Sequence, residues 1–208
     1  MKYYLIIILT VLLGNISTPN LEAKISKKPA LSYYEDEERN DPMAVELRRK
    51  GDHALDQGEP EKSIPFYQQS IAKDPRYAQP YINLSGVYLE TNQFDLCIET
   101  AKKGLEAGPK KKNYAGLLYF NIGLSYVKKA LNNEPGADFC DARILEAFNK
   151  SLELNPENKN VYFQIGAYTN DCLKKPEDAV LYFKKGCNLG DDSACQQYQN
   201  FTARGLGN

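Results

Sequence analysis

Residues 81–88 read YINLSGVY, and a near copy, YFNIGLSY, occupies residues 119–126. A third, clearly related stretch, YFQIGAY, runs from residue 162 to residue 168. Repetition at this scale is typical of proteins built from stacked supersecondary units, because one unit cannot bury its apolar face alone. Such a stack forms a long curved surface rather than a catalytic pocket. The repeat therefore favours a binding protein over an enzyme.

The spacing of the copies defines the repeating unit. Leu47 precedes Tyr81 by 34 residues, whereas Tyr119 follows Tyr81 by 38 and Tyr162 follows Tyr119 by 43. Each unit carries a large apolar residue, then a Gly or Ser, and then Tyr, Phe or a small residue in a second segment. A period of about 34 with this pattern resembles the tetratricopeptide repeat (TPR). The two longer spacings indicate that insertions displace the third and fourth units.

Four coupled matches carry this resemblance over residues 42 to about 191. Their members are Leu47, Gly51, Tyr67 and Pro75; Tyr81, Leu84, Ser85, Tyr88, Cys97 and Pro109; Tyr119, Ile122, Gly123, Tyr126, Phe148 and Pro156; and Tyr162, Ile165, Gly166, Ala179 and Phe183. The resemblance implies an all-α, right-handed α-solenoid in residues 42–208. We expect four helix pairs, at about 44–77, 78–111, 116–158 and 159–191, and a capping helix near 192–202.

Local signals agree with these boundaries. Asp41 is a good N-cap and Pro42 suits the first turn of a helix. Pro75, Pro109 and Pro156 are expected to end the second helix of each unit, because proline disfavours helix in the residue before it. In the TPR pattern, Gly or Ser lets the paired helices approach closely, and the aromatic residues fill the space between repeats.

The N-terminal 23 residues predict a secretory signal peptide. Lys2 precedes a mainly apolar run, residues 5–13, which is shorter than the roughly 20 residues that span a bilayer. Residues 21–23 (LEA) offer a cleavage site. An uncleaved membrane anchor is the alternative. Residues 24–41 are charged and lack an apolar period, so we expect a solvated linker, with a partner-docking segment as the alternative.

Charge excludes one broad class of partner. The net charge is −1, with 26 basic and 27 acidic residues. A near-neutral chain has no broad electrostatic reason to bind nucleic acid. Membrane contact is expected only if the signal segment is retained.

The five cysteines all follow residue 96. Cys187 is expected in the last turn of a second helix and Cys195 in the first turn of the next, with Asp192 as its cap. Residues 183–195 resemble secreted SEL-like repeats, which are relatives of TPRs. That resemblance implies a disulfide between Cys187 and Cys195. An exported chain could form such bonds.

Two other cysteines could pair as well. Cys140 lies in the insertion of the third repeat and Cys172 in the equivalent turn of the fourth, and both turns emerge on the same edge of the stack. Cys97 occupies a small-residue position of a second helix, where a buried thiol is expected. Metal binding is the alternative use of the cysteines, but there is no C-x-x-C pair and the single histidine is His53.

No catalytic constellation is evident. Ser63 and Ser70 occupy helix-packing positions, and His53 is expected at the surface. There is no glycine-rich phosphate loop, so no cofactor is predicted. We therefore expect a protein that is not an enzyme.

The remaining candidate site is the concave groove, which in TPR proteins is lined by the first helix of each pair. The resemblance places eight side chains there: Arg48, Arg49, Ile82, Asn83, Phe120, Asn121, Phe163 and Gln164. The amides can hold a peptide backbone, the apolar column can take side chains, and either arginine can meet a carboxylate. Alternatively, these residues only face solvent or contact the linker. The TPR group that clamps chaperone C-termini carries basic residues where this chain has Leu117 and Asn121, which disfavours that ligand.

The sequence thus predicts an exported protein-binding or scaffold module, periplasmic or secreted, that takes a protein or peptide ligand. One alternative is an envelope assembly factor similar to pilotins or outer-membrane assembly proteins. The other is a cell-wall-acting enzyme of the SEL-like type, which requires a nucleophile or carboxylate pair in the folded groove.

Overall fold

A computed structural model describes residues 40–207 and contains helices but no strands in that range. The predicted signal peptide and all but the end of the linker lie outside these residues. The helices are α1 (Pro42–Asp56), α2 (Pro60–Lys73), α3 (Ala78–Glu90), α4 (Phe94–Glu106), α5 (Lys112–Leu131), α6 (Ala142–Leu154), α7 (Lys159–Asp171), α8 (Pro176–Asn188) and α9 (Asp192–Thr202). They form four antiparallel pairs followed by a C-terminal helix, the solenoid that the sequence predicts.

Glycine lets the two helices of a pair approach closely. A Cβ on Gly123 in α5 would lie 2.6 Å from the ring of Phe148 in α6. Gly166 meets Phe183 in the same way, at 2.7 Å. Each aromatic ring thus fills the space that the missing side chain leaves, and its burial supplies much of the apolar stabilisation of the pair.

Successive pairs pack by a second use of glycine. A Cβ on Gly104 in α4 would lie 3.0 Å from Leu118 in α5, the first helix of the next pair, and 2.7 Å from the Cβ of Tyr81 in its own pair. The first helix of one pair therefore lies against the second helix of the previous pair. This contact is the nearest-neighbour interface that joins repeats into a solenoid.

Small hydroxyl residues tie the paired helices further. Ser70 in α2 donates a hydrogen bond of 2.6 Å to the carbonyl of Ala44 in α1. Ser151 in α6 donates one of 2.7 Å to the carbonyl of Gly116 in α5. Both serines are fully buried, as is Ser63, which agrees with their predicted packing role. These hydrogen bonds also give each buried hydroxyl a partner.

The two irregular spacings have simple structural causes. Helix α5 begins seven residues before Tyr119, whereas α3 and α7 begin three before Tyr81 and Tyr162, so α5 carries one extra N-terminal turn. The connection from α5 to α6, residues 132–141, is also longer than the three residues that join α3 to α4.

Aspartate caps define both ends of the described solenoid. The Asp41 carboxylate accepts hydrogen bonds from the N–H groups of Met43 and Ala44, as predicted. At the other end the cap of α9 is Asp191, whose carboxylate accepts from the N–H of Ala194 at 2.7 Å. This corrects the expectation that Asp192 is the cap, because Asp192 is already the first helical residue.

Helix α9 closes the C-terminal end of the stack. Phe201 of α9 lies against Phe183 of α8, with ring centroids 5.4 Å apart. Ala194 lies where a side chain on Gly186 would be. The apolar surface of the last repeat is therefore covered, as a terminal helix of a solenoid requires.

Candidate functional site

The first helices of the four pairs, α1, α3, α5 and α7, form the surface on which sequence analysis places the ligand; we call it the A-helix face. The eight predicted residues all lie on these helices. Their exposure differs: Arg49 is exposed, Arg48 and Ile82 are buried, and the other five are half-buried.

Arg48 lies in the interior. Only 5% of the residue is exposed, and its guanidinium forms an ion pair with Asp52 one helical turn away. This corrects the expectation that Arg48 is open to a ligand's carboxylate, because that position is already held by a carboxylate of the protein. The adjacent Arg49 is exposed, and its predicted role in the groove stays a prediction.

Asp52 is the centre of a polar network that the sequence analysis did not identify. Its carboxylate also accepts hydrogen bonds of 2.8 Å from the hydroxyl of Tyr67 and from the side-chain amide of Asn83. Burial raises the pKa of Asp52, while Arg48 and the two hydrogen bonds oppose that shift. The pKa of Tyr67 is also raised, mainly by burial and next by the Asp52 charge. The network fixes α1 against α3.

Asn121 has the equivalent role between α3 and α5. Its amide donates to the hydroxyl of Ser85 at 2.9 Å and to the carbonyl of Ile82 at 3.4 Å. Its own backbone carbonyl accepts from the hydroxyl of Ser125 at 2.8 Å. Asn83 and Asn121 therefore hold neighbouring repeats together, and both are only half-buried.

The two phenylalanines of the predicted apolar column are partly engaged as well. Phe120 lies against Phe148, with ring centroids 5.9 Å apart, and Phe163 lies against Phe183 at 6.0 Å. Both residues are half-buried. Shape and hydrogen bonding thus fix this surface before any ligand arrives.

Gly86 is a further feature of the A-helix face. A Cβ on Gly86 would have no neighbour within 4 Å, although the residue lies inside α3 with an ordinary helical backbone. Glycine in a helix interior is destabilising by about 0.5–1 kcal/mol relative to alanine. The sequence does indicate that Gly86 is not required for helix packing, because Ser85, one place earlier, already occupies the packing position of the repeat.

A second concavity lies away from this face. A shallow cavity of about 340 Å³ is lined mostly by α6 and α8, with Leu145, Leu173 and Leu181 among its apolar residues. Leu181 is 62% exposed. Its lining also includes Ile165 and Thr169 of α7 but none of the eight predicted residues, so the cavity is not the predicted groove.

The cysteines lie where the sequence analysis places them. Cys140 and Cys172 are bonded with their Cα atoms 5.3 Å apart, and Cys187 and Cys195 with theirs 4.4 Å apart. The hydroxyl of Tyr168 also donates to the carbonyl of Cys140 at 2.9 Å. Oxidation of these pairs in the native protein stays a prediction.

Cys97 is a free, fully buried thiol, as predicted. Burial raises its pKa from the ordinary 9.0 to about 11. A thiol with such a pKa stays protonated at neutral pH and is a poor nucleophile.

Within residues 40–207, no three or more metal-binding side chains come together. Over the same residues, no helix combines the length and the apolar character needed to cross a membrane. His53, considered as a catalytic group, is exposed on α1.

Comparison with known proteins agrees with the repeat pattern. Residues 54–118, from the end of α1 into α5, match the tetratricopeptide repeat family model. This segment is therefore similar to TPRs. The all-helical solenoid extends the same architecture over the rest of the described chain.

Two curated relatives match more widely. Stress-induced-phosphoprotein 1 of Caenorhabditis elegans is 25% identical over 70% of this chain and 56% of its own length. Photosystem I assembly protein Ycf3 of Prochlorococcus marinus (strain MIT 9301) is 27% identical over 52% of this chain and 65% of its own length. The chain thus spans less than two thirds of either relative.

Solved structures show the same fold. TTC0263, a thermophilic TPR protein of Thermus thermophilus, has a TM-score of 0.60 at 16% identity and covers 76% of this chain and 82% of its own. The MamA RS-1 ArsTM double mutant also has a TM-score of 0.60, at 14% identity, over 79% of this chain and 85% of its own. Both are similar to this chain in architecture.

Proposed function

We propose that this protein is an exported binding or scaffold module that holds a segment of a partner protein on its A-helix face. The observation that carries the proposal is the composition of that face. It combines half-buried amides and half-buried aromatic residues, at Asn83, Phe120, Asn121, Phe163 and Gln164. Amides can bond to an extended backbone, and aromatic edges can take side chains.

The network of hydrogen bonds makes the face suitable for recognition. Asn83 and Asn121 are held by contacts between repeats, so the orientation of both amides is fixed by the fold. A rigid surface loses little conformational freedom when it binds. The conformational entropy lost on binding then comes mainly from the partner segment.

Export is the second part of the proposal. Its support is the apolar run after Lys2 and the disulfide geometry of Cys140–Cys172 and Cys187–Cys195. Disulfides persist in oxidising compartments such as the periplasm or the extracellular space. Intact-mass analysis of the native protein checks this part. A mass that retains residues 1–23, from protein recovered in the cytosol, would contradict export.

Binding is tested with a partner captured from the native host and identified by mass spectrometry. Phe120→Ala with Asn121→Ala should weaken binding of the purified partner by about 2 kcal/mol or more, because interface energy concentrates in a few central residues. Both side chains also stabilise the fold, so the double variant is compared with Leu145→Ala. Leu145 is half-buried on α6, away from the A-helix face.

Two further measurements separate binding from stability. Circular dichroism establishes that each variant is folded at the assay temperature. Lys110→Ala with Lys112→Ala changes two exposed lysines in and beside the turn before α5 and should leave affinity unchanged. If the partner binds the Phe120 and Asn121 double variant as tightly as wild type, the recognition surface lies elsewhere.

A further inference from the structure

Helix α8 carries the most exposed large apolar side chain of residues 40–207. Leu181 is 62% exposed, and only four other large apolar residues in this range count as exposed. One of these four, Leu173, is 43% exposed and lines the same shallow cavity as Leu181. Half-buried Leu145 adds a third leucine to the lining. An apolar surface of this kind marks a contact site.

The inner side of α8 is already used within the chain. Phe183 lies against Phe201 of α9, with ring centroids 5.4 Å apart. A Cβ on Gly207 would lie 3.0 Å from buried Val180, so the end of the described chain also packs on α8. Leu181 lies on the other side of the helix, where it remains exposed.

Charges flank Leu181 in a fixed order along α8. Asp178 belongs to the first turn and Lys185 to the last, and both are exposed. They lie three residues before and four residues after Leu181, so the three side chains share one face of the helix. Within the described chain, neither of the two charged side chains forms a hydrogen bond or an ion pair. The helix dipole favours this order of charges, but it does not account for an exposed leucine between them.

This face is complementary to itself. Asp178 and Lys185 are separated by about 10 Å along the helix axis, and Leu181 lies near their midpoint. If a second α8 packs antiparallel across a two-fold axis at that midpoint, Asp178 of each copy meets Lys185 of the other. Lys175, which also lines the cavity, then lies across from uncharged Asn188, so this register brings no like charges together. Such a contact is isologous, because both copies use the same patch.

From this we infer that the protein forms a two-fold symmetric dimer through the outer face of α8, with Leu181 of each copy against the leucine-lined cavity of the other. The leucines supply the apolar burial, and the two charge pairs set the antiparallel orientation. The inference goes beyond the proposed function, because the dimer needs no partner segment and its cavity contains none of the eight predicted groove residues. A dimer carries two A-helix faces, so a partner with two copies of the bound segment gains avidity.

Sedimentation equilibrium of the native, oxidised protein measures the dimer directly. We expect association at concentrations of about 100 μM or below, weaker at high salt. Leu181→Asp should raise the dimer dissociation constant about 10-fold or more, because it removes the central apolar side chain and brings two carboxylates together near the axis. The matched control is Leu96→Asp on α4, where Leu96 is 42% exposed, and it should change the constant less than about threefold.

Charge reversal tests the antiparallel register. Asp178→Lys alone, or Lys185→Asp alone, should weaken the dimer about 10-fold or more, because symmetry turns both ion pairs into like-charge contacts. An equimolar mixture of the two variants should associate about as tightly as wild type, because one variant presents two lysines and the other two aspartates. Glu106→Lys makes the same charge change at an exposed position of α4 and should leave the dimer unchanged.

Three results would each overturn the inference: a native protein that stays monomeric at these concentrations, a dimer that persists in Leu181→Asp, or a mixture of folded charge variants that fails to associate. Circular dichroism checks the fold of each variant, and Leu181→Asp decides the matter if a charge variant is unfolded. A monomeric protein in which Leu181→Asp instead weakens binding of the captured partner would assign this face to the partner, and the inference would fail. The proposed function is tested separately, by Phe120→Ala with Asn121→Ala.

Discussion

At the scale of single residues, six of the seven glycines inside the described helices lie where another atom occupies the place of a side chain. A Cβ on any of these six would come within 2.8 Å of a neighbour, whereas Gly86 has open space around it. The same residue type thus has two roles. Most helical glycines permit packing, and Gly86 leaves a surface gap.

This contrast gives a pair of predictions of opposite sign. Gly123→Ala should destabilise the fold by about 1–3 kcal/mol, because the new methyl group overlaps the ring of Phe148. Gly86→Ala should stabilise it by about 0.5–1 kcal/mol, because the new methyl meets nothing and alanine favours helix. Urea unfolding of both variants beside wild type measures the two changes. A loss of stability in Gly86→Ala would mean that the gap is filled in the native protein.

The cysteines give a second prediction at this scale. Native, oxidised protein should react with a thiol reagent at no cysteine, and unfolded protein should release one thiol per chain, from Cys97. The raised pKa of Cys97 means that folding favours the protonated thiol. This contribution to stability is complete below the ordinary value of 9.0 and is lost as the pH rises to about 11.

Thiol counting by mass spectrometry, with and without denaturant, checks the prediction. Three or five thiols in unfolded material that was never reduced would contradict one or both disulfide pairs. Rapid labelling of native Cys97 at pH 7 would contradict its burial.

At the scale of helices, the sequence predicts the pairs because glycine, proline and aromatic residues recur at fixed places. It misses the extra first turn of α5, which begins after Lys111 without a side-chain cap. Three consecutive lysines around a helix start are no sequence signal for one. The turn forms because tertiary packing stabilises it: Tyr114 is buried there, and Gly116 packs against Asn155.

The candidate site shows where sequence reasoning stops. All eight predicted residues lie on the first helices of the pairs, because the repeat pattern fixes their positions on each helix. The pattern cannot show that Asp52 accepts a hydrogen bond from Asn83, because that depends on the register between α1 and α3. The ion pair between Arg48 and Asp52 joins residues four apart on α1, so the sequence does carry a signal for it. Gly86 was visible as a glycine outside the packing position, but its open surroundings follow only from the packed structure.

Helix α9 supplies the prediction at this scale. Cys187→Ser with Cys195→Ser should lower the stability of the C-terminal end by about 2–3 kcal/mol, because the disulfide closes a short loop in the unfolded chain. Phe201 and Ala194 keep α9 docked when the protein is folded, so the helix itself should remain. Urea unfolding measures the loss, and tryptic cleavage after exposed Arg204 reports opening of this end.

The matched comparison is Cys140→Ser with Cys172→Ser. That pair joins residues 32 apart in sequence, whereas Cys187 and Cys195 are eight apart. A disulfide that closes a longer loop removes more entropy from the unfolded chain, so losing this one should lower stability by more than losing Cys187–Cys195. Its effect should centre on the 132–141 connection. Equal cleavage of wild type and the Cys187, Cys195 variant would show that the Cys187–Cys195 disulfide does not hold α9 in place.

At the scale of the whole solenoid, each repeat contacts only its neighbours, so stability is a sum of local and nearest-neighbour contributions. The two ends of the described chain differ in their protection. The C-terminal end has α9 and both disulfides, whereas α1 and α2 have a neighbour on one side among the described residues. The central helices α3 to α6 are covered on both sides.

Hydrogen exchange should therefore follow the order of the repeats. In oxidised protein, amides of α1 and α2 should exchange first, those of α7 to α9 later, and those of α3 to α6 last, because opening starts at the less constrained end. Reduction should accelerate exchange in α7 to α9 and leave α1 and α2 nearly unchanged, since both disulfides lie beyond residue 139. Exchange followed by mass spectrometry, with and without reductant, resolves these segments. Equal acceleration in all repeats would mean that the chain unfolds as one cooperative unit and that the disulfides stabilise the whole solenoid rather than its C-terminal end.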